Sequence, residues 1–342
     1  GAADAVSRLT LAALLVAAGC ARGPLAAPPS PADRRIEKSL PAPKDIRAID
    51  RFFRQQLVTH RKVDGLKIQI FDGGSVTVPC AAVSSLKSWL SRVKLDVPVF
   101  LIRHPKRGLV LFDTGMHPDM ETMPARKMGR LNYFLVPFQI KPGQNIVSQL
   151  KALGVEAEEV KWVVVSHMHM DHAGMIDAFP KATVLVDRRE WEAQKAKALA
   201  KPNAPDIIDT GALEPKLRLR LVDLSSAPAY GAFDHGEDLF GDGTVFLIDL
   251  AGHTAGNMGA WVNLDDAPVL LAGDASWILD NHQDLALPLK GHIYDVNQYW
   301  RRLFMMREAQ KAVPSLIIFP GHDLGPLKLQ PNKDVELVAF PR

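Results

Sequence analysis

From Leu66 onward the chain alternates short, continuous apolar runs with longer segments whose apolar residues recur at helical spacing. The runs Leu66–Phe71, Val97–Ile102, Leu109–Phe112, Trp162–Val165, Thr183–Val186, Leu217–Val222, Val245–Leu250, Gly259–Asn263, Val269–Leu271 and Leu316–Phe319 are rich in Val, Ile, Leu and Phe. Gly, Pro, Asp and Asn bound them, which predicts strands. Helices are predicted at Ser84–Arg92, Ile146–Leu153, Arg188–Leu199 and Val296–Ala312. Strands and helices interspersed over roughly 280 residues predict an α/β fold, a sandwich of sheets covered by helices. No composition break divides residues 46–342, which read as one domain.

The N-terminal region has a different pattern. An apolar run, Leu9–Ala18, has Arg8 before it and Gly19-Cys20 after it. It is too short to span a bilayer, which takes about 20 residues, and it fits the apolar core of a secretory signal. Cleavage before Cys20 would match bacterial lipoprotein signals, in which that cysteine carries the lipid, although Ala17 stands where those signals most often have Leu. An ordinary secretory signal cleaved nearby is the alternative. Residues 1–19 are therefore expected to be a signal peptide, and residues 20–45, with six prolines among Ala, Ser and charges, an extended tether. This organisation predicts export to the periplasmic side of a bacterial envelope, with a lipid anchor at Cys20.

Composition narrows the class. The 342 residues carry 41 Lys+Arg against 38 Asp+Glu, a net charge of +3 without basic blocks, so no nucleic-acid partner is expected. A hydrophobic fraction of 47% with 23% charged residues excludes bulk disorder and a polytopic membrane protein. Two cysteines exclude a cystine framework, and with Cys20 lipidated Cys80 is expected to be a lone buried thiol. The charged stretch Arg188–Lys197 reads as the solvated face of a helix.

The chemistry concentrates after the strand ending near Ser166. His167, His169, Asp171 and His172 fall within six positions. His167 and His169, two apart, share a face in extended or turning backbone and can grip one ion. Asp171 and His172 come next, in the turn, and would face a second ion. Three further apolar runs each end in Gly and then a ligand-type residue: Gly252-His253, Gly273-Asp274 and Gly321-His322. His253 would give the first ion a third imidazole, His322 would serve the second, and Asp274 could bridge both. Imidazole and carboxylate donors without thiols suit zinc, iron, cobalt or manganese rather than a structural zinc site. A His-rich polar loop without metal is the plain alternative, made improbable by the density of ligand types.

This set of segments, His-x-His-x-Asp-His, Gly-His-Thr, Gly-Asp and Gly-His, resembles the metallo-β-lactamase fold superfamily from about Leu66 to His322. The resemblance implies an αββα sandwich with two divalent ions, most simply zinc, at one edge of the sheets. Within it, the likeness is to N-acyl-homoserine lactonases, on Leu111-Phe-Asp113-Thr-Gly115-Met116, the segment Ser166–Gly174, Arg188–Glu192 and Asp274-Ala-Ser276. The bridging Asp274 separates the chain from the true metallo-β-lactamase subclasses. Those lactonases carry Tyr after Asp-Ala-Ser where this chain has Trp277, and an indole donates one N–H but cannot relay a proton.

The resemblance implies a hydrolase that opens lactones or similar esters with a hydroxide generated between the ions. Asp171 would add a general acid–base role to its ligand role. Asp113 is either a partner orienting a ligand imidazole or a turn-capping Asp. Met116, Met120, Met123, Met128, Tyr133, Phe134 and Phe138 could wall an acyl chain, or fill the core or a homodimer contact. Trp277, His282, His292 and Tyr294 could line the pocket mouth, with Met116, Trp277 and Tyr294 the named substrate contacts. A phosphoester or thioester hydrolase using the same site is the alternative within hydrolases. A lipid-anchored, non-catalytic metal-binding protein is the alternative of another class.

Overall fold

The computed structural model describes residues 45–59, 63–122, 130–201, 207–329 and 333–341. The expected signal peptide, its Cys20 and nearly all of the tether lie outside these residues, as do Met123, Met128 and the side chain of Tyr133. Among the described residues no helix is long and apolar enough to cross a membrane.

Two sheets face each other. The larger contains β1 (Lys67–Pro79), β2 (Arg92–His104), β3 (Gly108–Phe112), β4 (Phe138–Gln139), β5 (Val160–Val164), β6 (Thr183–Asp187) and β7 (Arg218–Val222). The smaller contains β8 (Gly236–Asp238), β9 (Val245–Asp249), β10 (Met258–Asn263), β11 (Pro268–Leu271) and β12 (Ile317–Phe319), and β13 (Val335–Val338) returns to pair with β1. The orders are β13-β1-β2-β3-β5-β6-β7, with β4 paired to β1, and β12-β11-β10-β9-β8. Among the described helices, α1 (Ile46–Thr59), α2 (Ile146–Ala152), α3 (Arg188–Ala200), α4 (Leu279–Asp284) and α5 (Val296–Ala312) cover or support these sheets.

Burial defines the layers. Ile68, Ile70, Phe100, Ile102, Phe112 and Val164 of the larger sheet pack on Leu247, Met258, Ala260, Val269, Leu271 and Phe319 of the smaller. The outer face of the larger sheet packs on Ile146 and Leu150 of α2 and Trp191 of α3. The outer face of the smaller packs on Ile49 and Phe53 of α1 and Tyr299, Leu303 and Met306 of α5. The result is an αββα sandwich, as the ligand segments implied. Each of the ten anticipated strands forms: continuous apolar runs such as β5 and β9 suit central strands, and the alternating Leu and Arg of β7 suit a partly exposed edge.

Several expectations change. Ser84–Arg92 forms turns rather than a helix, because Ser84 Oγ accepts from Leu86 N and Ser88 Oγ from Leu90 N, diverting the backbone. Helix α1 was not anticipated, although Ile46, Ile49 and Phe53 recur at helical spacing. Nor is Arg188–Lys197 wholly solvated: Glu190, Trp191 and Gln194 are buried. Cys80 is fully buried but disulfide-bonded rather than a lone thiol. The chain's other cysteine is Cys20, and one sulfur cannot carry both a disulfide and the expected lipid.

Phe53 docks α1 onto the smaller sheet: it stacks on Trp261 at 4.5 Å between centroids and meets Tyr230 edge-on at 5.5 Å. Replacing Phe53 by Ala should lower the stability by about 3–5 kcal/mol. Urea unfolding would show this as a lower midpoint at unchanged slope, and an unchanged midpoint would mean that α1 is not part of the cooperative core.

Candidate metal centre

Every ligand-type residue singled out by the sequence emerges at one edge of the sandwich. His167, His169, Asp171 and His172 come after β5, His253 lies between β9 and β10, Asp274 comes after β11, and His322 after β12. One candidate ligand atom each from His167, His169, His253 and Asp274 lie within 4.8 Å of one another, and the same holds for Asp171, His172 and His322. Nδ1 of His169 stands 2.9 Å from His167 Nε2 and 3.1 Å from His253 Nε2.

Asp274 divides its two oxygens between the groups. Its Oδ2 lies 3.4 Å from His253 Nε2 and 3.8 Å from His167 Nε2. Its Oδ1 lies 3.3 Å from both His172 Nε2 and His322 Nε2. Asp171 Oδ2 closes the second group, 3.6 Å from His172 Nε2 and 3.7 Å from His322 Nε2. Local sterics force this placement. Gly321 lets the backbone pass against Asp274 Oδ1, where any Cβ would collide. Gly273 takes φ +51°, and a Cβ there would meet Ser166 at 2.7 Å.

The imidazoles are aimed from behind. His172 Nδ1 donates to Asp113 Oδ2 at 2.8 Å, and His322 Nδ1 donates to the Asp96 carbonyl at 2.7 Å, so each Nε2 is turned into the centre. Asp113 also accepts from Ser166 N at 2.7 Å and from Ser166 Oγ at 2.8 Å. Ser166 Oγ in turn lies 3.0 Å from His167 Nδ1. One carboxylate thereby orients an imidazole in each group. It does so from a left-handed backbone, φ 61°, that Asp tolerates better than most residues.

Electrostatics differ between the halves. Burial, reinforced for His167 by His172 and His169, holds His167 and His253 well below the usual histidine range. Burial also lowers His169, against the pull of Asp171 and Asp274. Burial would lower His172 and His322 too, but Asp274 and Asp171 outweigh it and both are raised. Burial opposes ionisation of Asp274, yet His322 and His172 hold it well below the carboxylate range. The donors fit divalent metal ions: His172 Nε2 and Asp274 Oδ1 are buried without a hydrogen-bond partner, and every donor is imidazole or carboxylate.

The expected substrate contacts scatter. Trp277 reaches the centre, its ring 5.6 Å from His253, 5.7 Å from His322 and 5.4 Å from His292, with a buried Nε1 that has no partner. Met116 does not: it is 1% exposed and packs with Val97, Met120 and Ile140, because Gly74 in the β1 bulge leaves room for its side chain. Tyr294 exposes 69% of its surface, and only its backbone N–H, bonded to the His253 carbonyl at 3.0 Å, joins it to the centre. Sequence reasoning missed Ser166 and the Asp96 carbonyl, whose roles depend on backbone position. It also passed over Glu190, a charged residue in a helix otherwise taken as solvated.

Comparison with known proteins agrees with this geometry. Residues 93–322 match the family model described as the metallo-beta-lactamase superfamily. The N-acyl homoserine lactonase AttM of Azorhizobium caulinodans is 34% identical over 237 residues, covering 67% of this chain and 82% of that protein. A solved N-acyl homoserine lactone hydrolase, with the product N-hexanoyl-L-homoserine bound at its catalytic metal centre, superposes with TM-score 0.63 at 22% identity, covering 79% of this chain and 97% of the other. AidC, described as a dizinc quorum-quenching lactonase, superposes with TM-score 0.53 at 16% identity, covering 77% and 89%.

Asp113→Asn keeps the left-handed backbone but replaces one of the two oxygens with a donor. It should reduce metal affinity about 10–100-fold while the fold is retained. Metal titration of the purified variant checks this, and wild-type affinity would leave Asp113 as a turn cap.

Proposed function

The chain belongs to the metallo-beta-lactamase superfamily, and from that premise we propose that it is a metal-dependent lactonase acting on N-acyl homoserine lactones. The observation that carries this reading is the divided Asp274 carboxylate, which gives each imidazole group one oxygen and so suits a pair of ions. The kinship with AttM supplies the substrate class. Zinc is the metal we favour, since the donor set lacks thiols and AidC is described as dizinc.

Divalent ions held here would supply Lewis acidity toward the ester carbonyl and acidify a water for attack near neutral pH. The protein's own groups supply positioning and proton transfer. Asp171, one oxygen of which faces His172 and His322, takes the proton of the attacking water. It returns that proton to the ring oxygen as the C–O bond breaks, leaving an acyl-homoserine with a free hydroxyl. Trp277 directs its unpartnered N–H to a substrate oxygen and leaves proton relay to Asp171. The half-buried indole beside His253 and His322 also narrows the approach of water.

Turnover of a lactone panel beside nitrophenyl phosphoesters tests the assignment. N-acyl homoserine lactones should be opened, chelation should abolish activity, zinc should restore it, and Asp274→Ala should lower kcat/KM by more than about 100-fold. Turnover confined to phosphoesters would overturn the lactonase assignment, and indifference to chelator would remove the metal mechanism. Trp277→Tyr should raise lactone hydrolysis. A fall would mean that the substrate needs the breadth of the indole and not only a donor at this position.

The same proposal extends to location, with the enzyme exported to the periplasmic side of the envelope, an oxidising compartment in which the Cys80 disulfide persists. Cell fractionation should find the protein outside the cytoplasm, with Cys80 labelled by a thiol reagent only after reduction. A cytoplasmic protein whose Cys80 labels freely without reduction would overturn this location.

A further inference from the structure

Outside the ligand set, one buried carboxylate touches both loops that carry the three imidazoles His167, His169 and His253. Glu190 is 3% exposed in the first turn of α3. Its Oε1 accepts from Met168 N at 2.9 Å, and its Oε2 accepts from Gly256 N at 3.0 Å. Met168 separates His167 from His169, and Gly256 closes the loop in which His253 sits. A buried carboxylate needs its lone pairs satisfied, so these two bonds tie segments far apart in sequence to one rigid group.

The same helical turn holds the other end of the His253 loop. Arg189 bonds Asp187 Oδ2 at 2.8 Å and Asp249 Oδ1 at 2.9 Å, and Asp249 Oδ1 accepts from Ala251 N at 3.1 Å. Gly256 lies so close to this turn that a Cβ there would meet Glu190 N at 2.6 Å and Asp187 Oδ1 at 2.7 Å. The loop is thus pinned on both sides of His253. No described hydrogen bond joins Glu190 to Asp171, His172 or His322, whose imidazoles are aimed by Asp113 and the Asp96 carbonyl instead.

We infer that Glu190 is a positioning residue that sets the spacing of His167, His169 and His253, and so governs the affinity of that one metal site and not its neighbour. The inference rests on the proposed pair of metal sites. If a side chain behind the ligands fixes their spacing, its loss should cost about 10–100-fold in affinity at the site it serves. Glu190→Gln keeps the volume and one acceptor but turns an N–H₂ toward the second backbone N–H, so it should fall between wild type and Glu190→Ala.

The test is a zinc titration of the full chain, stripped of metal and monitored with a competing chromophoric chelator, with metal per chain counted by elemental analysis. Wild type should take up two ions. Glu190→Ala should bind one ion about 10–100-fold more weakly and the other as wild type does, at an apo unfolding temperature that shows it is folded. If Glu190→Ala does not fold, the isosteric Glu190→Gln carries the test. In a His253→Ala background, where the three-imidazole site is already broken, Glu190→Gln should leave the remaining ion's affinity unchanged. Equal weakening of both ions, no weakening of either, or a further loss in the His253→Ala background would overturn the inference. Fewer than two ions on wild type would instead break the dinuclear reading beneath it.

Discussion

His167 Nε2 and His253 Nε2 both stand within 3.1 Å of His169 Nδ1, and a cation among these three imidazole nitrogens would take up the lone pairs that crowd there. The Asp274 carboxylate makes that charge welcome in both halves of the centre, with one oxygen toward His253 and His167 and the other toward His172 and His322. It is 2% exposed, so its own desolvation is tolerable only with cations on both sides. Bound ions would meet the same carboxylates that raise His172 and His322.

The fold meets this requirement through strand register. Phe112 of β3 pairs with Val164 of the parallel β5, so Asp113 emerges beside the segment that begins the His-x-His run. Leu271 of β11 pairs with Phe319 of the parallel β12, and Asp274 and His322 each come three residues later (274 − 271 and 322 − 319). Parallel neighbours therefore deliver a carboxylate and an imidazole side by side from one sheet, and the partner that aims the opposing imidazoles from the other. The layer between Phe112, Val164, Leu271 and Phe319 is closed apolar packing, which fixes the distance between the two contributions.

The legible parts of this design were those with local signatures. Doubly buried strands announce themselves as apolar runs, and the ligand segments announce themselves as Gly and then His or Asp at a strand end. What escaped detection depends on long-range partners. Glu190 looks like one charge among many in Arg188–Lys197, since its bonds go to backbone N–H groups that no residue type encodes. Helix α1 carries a fair apolar stripe, yet it comes after a proline-rich stretch, and only Trp261 and Tyr230 reveal what the stripe covers. Ser84–Arg92 shows the converse failure: its apolar spacing suits a helix, but its serines cap their own turns. Met116 was placed at the pocket on motif proximity, and the β1 bulge drew it into the core.

Trp277, the proposed substrate contact, is held by a different part of the frame from the imidazoles. The backbone at Trp277 is immobilised by Asn281, which is fully buried, accepts from Trp277 N and Ile278 N, and donates to the Val83 and Ala286 carbonyls. The neighbouring Ser276 hydroxyl is held at 2.9 Å from His282 Nδ1. The indole is therefore presented by a rigid element rather than a mobile loop, and its N–H keeps a fixed bearing on the ligand imidazoles. A phenol at this position could accept as well as donate, whereas the indole can only donate and covers more apolar surface. The ligand frame decides that water attacks a carbonyl. If Trp277 meets the substrate as proposed, it selects a carbonyl oxygen that can be met by a lone donor against a broad apolar wall.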